Sequence, residues 1–372
     1  MTTERRAFYM DKASGILELE RNGMGFLRNP EKSLRRHPQD PVISRDLIRR
    51  YNIPSGARVS GPADMFRDQM HLNDVEAVCG LPPDKFAKRT RFGDLVTVDP
   101  KIRFNLGVNG NESMRILDLL APIGMGTRAL IVSPPRAGKT MLLEAMAQGI
   151  RKSHPDVRVI ILLVDERPEE VTNFKRSVDA EVFASSNDMD GSAHIRIVEL
   201  TMTHVRLELE CGNHIALLVD SLTRMARAFN LNTPGRGRVM SGGVEAGALE
   251  TPRRFFGLAR TIENGGSITI AASALVDTGS RMDDLIFEEF KGTGNSEIVL
   301  DRDLANQRIW PAININESGT RKEELLLHPM EMKFARNLRR ELSGQQPGHA
   351  VEQLKKIFAK YPTNEELVMS TR

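Results

Sequence analysis

The residues of this chain best suited to phosphate chemistry are an adjacent lysine and threonine, an aspartate closing an apolar run, and a carboxylate-rich stretch lying between them. Residues 133–140 read Ser-Pro-Pro-Arg-Ala-Gly-Lys-Thr. Such a loop, set between a strand and a helix, aims its backbone N–H groups and the helix N-terminus at phosphate oxygens. Lys139 would place a point charge on the β- and γ-phosphates, and Thr140 a hydroxyl on Mg²⁺. Ser133 stands where the usual pattern has glycine, so only Gly138, Lys139 and Thr140 match strictly. On the octapeptide by itself, a merely polar helix N-terminus is the rival reading. A second acidic site decides against that. Asp220 ends the apolar run Leu217-Leu218-Val219, an arrangement that holds Mg²⁺ through its water shell; capping the following helix is a compatible second role. Residues 165–170 (Asp-Glu-Arg-Pro-Glu-Glu) close a third apolar run. Glu166, next to the strand end, is the candidate to orient an attacking water. Glu169 and Glu170 suit the first turn of the next helix, where they complement its dipole. The expected chemistry is hydrolysis of ATP with Mg²⁺.

These groups need a parallel sheet to present them. From about Arg115, short apolar runs alternate with helical stretches, the grammar of such a sheet flanked by helices. Residues 128–132 read as a strand, and 157–164, 214–219 and 267–275 as strands buried on both faces. Residues 139–150 read as a helix. Shorter strands are expected at 297–300 and 308–313, and a helix at 351–360. The first ~90 residues differ. Partial alternation over 15–20, a turn at Asn22-Gly23, a strand from Gly25 and another over 66–75 suggest a small β-barrel. Residues 81–105, with Pro82, Pro83 and Pro100, read as a connector.

The chain has 372 residues, enough for two or three domains. No apolar run is long enough to span a membrane, and residues 1–12 lack an apolar signal core, so a cytoplasmic protein is expected. Cys79 and Cys211 stand apart from each other in sequence and from any Cys/His cluster, which supports neither zinc nor a disulfide framework. A net charge of +3 neither demands nor excludes nucleic acid.

Several motifs in one order resemble the bacterial transcription termination factor Rho family. They are residues 121–126 (Ala-Pro-Ile-Gly-Met-Gly), 134–141, 165–171, 220–228 (Asp-Ser-Leu-Thr-Arg-Met-Ala-Arg-Ala), 254–257, 277–280, 288–295 (Glu-Glu-Phe-Lys-Gly-Thr-Gly-Asn) and 318–325 (Ser-Gly-Thr-Arg-Lys-Glu-Glu-Leu). The resemblance runs from about Ser14 to Leu325. It implies a homohexameric RNA-dependent ATPase that moves along single-stranded nascent transcript and releases it from RNA polymerase. The implied fold is α/β: a RecA-like P-loop motor with a parallel sheet flanked by helices, preceded by an all-β, cold-shock-like OB-fold barrel. The implied division is an extension over 1–13, the RNA-binding barrel over 14–78, a connector over 79–112 and the motor with C-terminal helices over 113–372.

Carried over residue by residue, the resemblance makes Pro135, Arg136, Ala137, Gly138, Lys139 and Thr140 the phosphate loop and sets Met141 by the base. It makes Glu166 the catalytic carboxylate and Asp220, with Thr140, the Mg²⁺ residues. Trp310 would lie against the adenine, although core packing is the reading its type alone suggests. Arg321 matches an arginine finger supplied to the neighbouring subunit. Arg308 matches an interface residue and Arg167 a nucleotide-sensing one. Arg236, Arg238 and Val239 in one Gly/Arg-rich loop, and Arg281 in another, match RNA-contacting pore loops. On the barrel, Phe26 keeps an aromatic platform, while Met24 and Val42 stand where the family has aromatics. Loss of base stacking there implies weaker or altered RNA loading, with a Rho-like RNA binder that does not translocate as the alternative function. A rotary-ATPase-type subunit fits the loop and sheet but not the barrel and basic loops.

Overall fold

The computed structural model describes residues 11–232, 243–245 and 247–370. They form two compact units, one up to Leu95 together with Glu199–Cys211, the other Val96–Val198 with Gly212 onward. The division is therefore not contiguous in sequence: the C-terminal half of the helix Gly191–Glu210 belongs to the first unit.

In the first unit, strands Asp11–Leu19 (β1), Gly25–Arg28 (β2), Val42–Ile43 (β3), Arg58–Phe66 (β4) and Gln69–Leu72 (β5) close a ring in the order β1-β2-β3-β5-β4 and back to β1. Ala77–Val78 (β6) adds to β4 outside that ring. Period-two alternation sends Leu17, Leu27, Ile43, Val59 and Leu72 inward to one core. The expected strand over 66–75 is in fact a hairpin return. Arg67 and Asp68 both take positive φ, which folds β5 back on β4 with Phe66 opposite Gln69. The helix segment seals the barrel through Leu207, through Glu208 paired with Arg58 at 3.0 Å, and through Glu210 paired with Arg89 at 2.8 Å. Cys211 packs against the same core as buried Cys79. A thiol–thiol hydrogen bond between them and burial push the Cys79 pKa up, so two cysteines that read as separate are neighbours.

The second unit holds Thr97–Val98 (β7), Arg128–Ser133 (β8), Arg158–Glu166 (β9), Glu181–Ser186 (β10), His214–Asp220 (β11), Arg260–Ile262 (β12), Ser267–Leu275 (β13), Ser296–Val299 (β14) and Gly319–Thr320 (β15). Six of these run parallel in the order β10-β9-β11-β13-β8-β14, and β15 lies antiparallel on β14. β9, β11 and β13 are nearly all apolar because both faces are covered. The stretch expected as a strand over 308–313 forms only a Leu300–Ile313 bridge. The C-terminal helices Pro329–Leu342, Pro347–Lys360 and Asn364–Met369 join the same core through Leu338, Leu354 and Leu367. Arg115 anchors them, donating to Tyr361 O at 2.7 Å and to Asn364 Oδ1 at 3.0 Å. Among the described residues no helix is long and apolar enough to cross a membrane.

Candidate nucleotide site

In an open parallel sheet the ligand crevice lies beyond the carboxyl ends of the strands. Here β9, β11, β13 and β8 are successive neighbours, so Glu166, Asp220 and the loop after Ser133 meet at one rim. The loop turns on two left-handed residues, Arg136 (φ 65°) and Gly138 (φ 88°), and the helix Lys139–Ser153 follows directly. Gly138 is required twice over. Its backbone is left-handed, and a Cβ there would come 2.6 Å from the Trp310 ring. Ser133 is buried, and its hydroxyl donates to the Pro134 carbonyl.

The Lys139 ammonium pairs with Asp220 Oδ1 and stands 3.9 Å from Glu166 Oε2. Asp220 is fully buried; Oδ1 also accepts from Ser273 Oγ at 3.1 Å, while Oδ2 has no hydrogen-bond partner. The peptide bond from Asp220 to Ser221 is cis. Ser221, not Asp220, caps the next helix, its Oγ accepting from Arg224 N at 3.1 Å. Glu166 is buried and split in role. Oε1 accepts from Arg224 Nη2 at 3.2 Å and Arg167 N at 3.1 Å, while Oε2 is left without a hydrogen bond. Burial, then the Asp220 charge, raise the Glu166 pKa above its ordinary value; Lys139 and Arg224 offset part of that. Thr140 Oγ1 donates to Glu170 Oε2 at 3.4 Å, and Glu170 lies with Glu169 in the first turn of the helix Pro168–Ser177. The unpartnered Asp220 Oδ2 and the Thr140 hydroxyl are oxygen donors of the kind a hard dication such as Mg²⁺ takes.

Trp310 does both things its position allows. It packs on the motor core, and it lines a cavity of about 310 Å³ with Ala137, Gly138, Met141, Leu300 and Lys355. Met141 is 63% exposed there, where a flat apolar ligand would cover it. Arg167 is exposed at the N-cap of its helix, and Arg308 is exposed with φ 62°.

Arg321 is elsewhere. It follows β15, and Thr320 pairs with Ser296, which pairs with Ala129 at the amino end of β8. The phosphate loop leaves the opposite end of β8 at Ser133, about 13 Å further along the strand. The fold does not bring Arg321 to its own subunit's loop. Arg281 opens the helix Arg281–Phe290 and is exposed. Its loop is tied to the helix after Asp220, since Asp283 accepts from Thr278 Oγ1 at 2.6 Å and from Arg227 Nε at 2.8 Å. Arg236, Arg238 and Val239 lie outside the described residues.

On the barrel, Glu18, Phe26, Val42, His71 and Asp64 form one row across β1, β2, β3, β5 and β4. Phe26 is half-buried with the Arg28 guanidinium 4.9 Å from its ring centre; Arg28 is itself held by Glu18 (2.6 Å) and Asp40 (2.7 Å). Val42 is buried. Sequence reading missed two groups. Arg224 contacts Glu166, and its spacing of four from Asp220 on a helix was the available signal. Phe66 is 59% exposed, edge-on to His71 at 5.6 Å and beneath the Arg67 guanidinium at 5.3 Å; hidden inside a misread strand, it gave no signal.

A phosphate loop, a sheet-end aspartate and a buried glutamate define an ATP-hydrolysing enzyme of the P-loop class, joined to a closed barrel. Residues 113–320 match the ATP synthase alpha/beta family nucleotide-binding domain, and residues 13–84 the Rho termination factor RNA-binding domain. Transcription termination factor Rho of Aquifex aeolicus (strain VF5) is 47% identical over 362 residues, which cover 95% of this chain and 83% of that one. The Haemophilus influenzae protein of the same name is 44% identical, covering 95% and 86%. The chain belongs to the transcription termination factor Rho family. A solved ATPase from the type III secretion system of pathogenic bacteria shares the fold at TM-score 0.61 and 21% identity, covering 83% of this chain and 92% of that one.

Proposed function

We propose that the chain is an RNA-dependent ATPase and RNA translocase that acts in transcription termination, working as a cytoplasmic homohexamer on nascent transcript held by RNA polymerase. The observation that carries this reading is the assembly of Lys139, Glu166 and Asp220 at one sheet end, with Arg321 held at the other. The loop amides of residues 135–140 and Lys139 hold the triphosphate. The cavity that Trp310 and Met141 line takes the base. Thr140 and Asp220 would hold Mg²⁺, which supplies charge neutralisation on the phosphates. Glu166 orients water for in-line attack and takes its proton. Arg224 fixes the carboxylate through Oε1 and leaves Oε2 free for that task. Arg321 serves the neighbouring subunit's nucleotide, so each site is complete only between two copies. Arg167 and Arg308 flank it. RNA is taken by the barrel face carrying Phe26 and, inside the ring, by Arg236, Arg238, Val239 and Arg281.

The test is steady-state ATP turnover titrated with single-stranded RNA. Turnover that rises and saturates with RNA is expected. RNA binding without ATP turnover would leave a binding protein without translocation, and turnover indifferent to RNA would remove RNA from the mechanism.

A further inference from the structure

The amino end of the parallel sheet carries three arginines from three strands: Arg128 at the start of β8, Arg260 at the start of β12, and Arg321 just past β15. Sheet register brings them together. Arg128 pairs with Ile270 of β13, whose Ile268 pairs with Arg260, while Ala129 pairs with Ser296 and so with Thr320. Asn295 ties two of them. Its side-chain Oδ1 accepts from Arg128 N at 2.7 Å, its own N–H donates to Arg128 O at 3.0 Å, and its carbonyl accepts from Arg321 N at 2.8 Å. The glycines before it are fitted to the same task. A Cβ on Gly294 would come 2.8 Å from Arg128 O, and the Gly292 carbonyl accepts from Arg321 Nη2 at 3.4 Å. The Gly-Thr-Gly-Asn run thus acts as a clamp on two arginines.

Among the described residues, neither Arg128 nor Arg321 forms an ion pair. The Arg128 side chain rests toward the Phe256 ring at 5.8 Å, and its Nε is buried with no hydrogen bond. Arg260 donates to the carbonyls of Leu258 and Gly257. Burial and Arg321 both hold the Arg128 pKa below its ordinary value, and burial and Arg128 do the same to Arg260. Arg128 and Arg321 repel each other, an arrangement that an anion between them relieves.

We propose that Arg128 is a second cation of the arginine-finger side, locked beside Arg321 by Asn295 and presented with it to the triphosphate of a neighbouring subunit. This rests on the reading of Arg321 as a finger in trans. A dispersed charge on the transferring phosphoryl group is better met by two guanidinium groups than by one.

The experiment compares purified full-length rings of Arg128→Ala and Arg128→Gln with the parent, after assembly is checked by size. Each is expected to lower kcat roughly tenfold to a hundredfold with a smaller change in KM. Each should also weaken binding of an ADP–aluminium fluoride complex more than binding of ADP. Mixing Arg128→Ala with Glu166→Gln should restore turnover, because some interfaces then hold both groups. Mixing Arg128→Ala with Arg321→Ala should restore none, because both defects fall on one side of the interface. Normal kcat in the variants overturns the proposal. So does a low kcat that Glu166→Gln cannot complement while a Glu166→Gln and Arg321→Ala mixture does recover, since Arg128 then acts within its own subunit. Lost RNA affinity with unchanged nucleotide behaviour overturns it in favour of an RNA phosphate at this sheet end. If the Glu166→Gln and Arg321→Ala mixture also fails, the shared-site reading itself falls.

Discussion

Burial and the nearby Asp220 both work against the charge on Glu166, and for a general base that has a visible consequence. A carboxyl with a raised pKa sheds its proton at higher pH than an ordinary glutamate. Activity therefore falls as pH drops through that raised value, and the acid limb of the kcat/KM profile should sit above the usual carboxylate range. Glu166→Gln should lower kcat by about a hundredfold or more and flatten that limb, while equilibrium dialysis still finds nucleotide bound. A variant that turns over at the parent rate would remove Glu166 from the chemistry. Trp310 offers a direct reading of the base pocket because the chain has one tryptophan. Its emission should change on adding ATP, and Trp310→Ala should raise the KM for ATP several-fold through lost stacking, about 1 kcal/mol or more. Emission that ignores saturating nucleotide would take the base out of the cavity beside Gly138.

At the scale of elements, the barrel carries an exposed aromatic, Phe66, outside the Phe26 strand. Val42 sits buried at the centre of the row, but its cross-strand neighbour His71 is in ring contact with Phe66 at the β4–β5 turn. An aromatic 59% exposed, with arginine stacked on it, is a surface on which a base can lie. Phe66→Ala in the full chain should weaken short single-stranded RNA by roughly tenfold, the range of one stacked base, and Met24→Phe should tighten it by a similar factor. Fluorescence anisotropy at fixed salt measures both. If Phe66→Ala binds as the parent does and Phe26→Ala does not, stacking is confined to β2.

For the whole molecule, Arg321 lies about 13 Å of strand away from the phosphate loop, so in the proposed reading a lone subunit would lack a finger at its own nucleotide. Glu166→Gln and Arg321→Ala should each be inactive as pure rings. Mixed rings should regain a fraction of the parent turnover, because random assembly creates interfaces with both groups intact. Mixed rings verified by mass that stay silent would show each subunit hydrolysing by itself. The tie from Asp283 to both Thr278 and Arg227 joins the Arg281 loop to the helix that follows Asp220.

The sequence alone determined the chemistry that depends on contiguous residues. A phosphate loop needs a strand, a tight turn and a helix in succession, and strands buried on both faces announce themselves by unbroken apolar runs. That made residues 133–140, Glu166 and Asp220 readable, and the motif order pointed to the family. Tertiary structure decided what depends on partners far apart in the chain. Arg224 on Glu166, Trp310 over Gly138, Asn295 between Arg128 and Arg321, and Cys79 beside Cys211 are pairings that no periodicity encodes. Most of β4 had no reading, and the strand expected over 66–75 ran through the β4–β5 turn because that turn uses Arg67 and Asp68 at positive φ, where glycine or asparagine is the usual signal. Pairing register, set by which strands the packed core brings side by side, carries that information, and it exists only once the chain is folded.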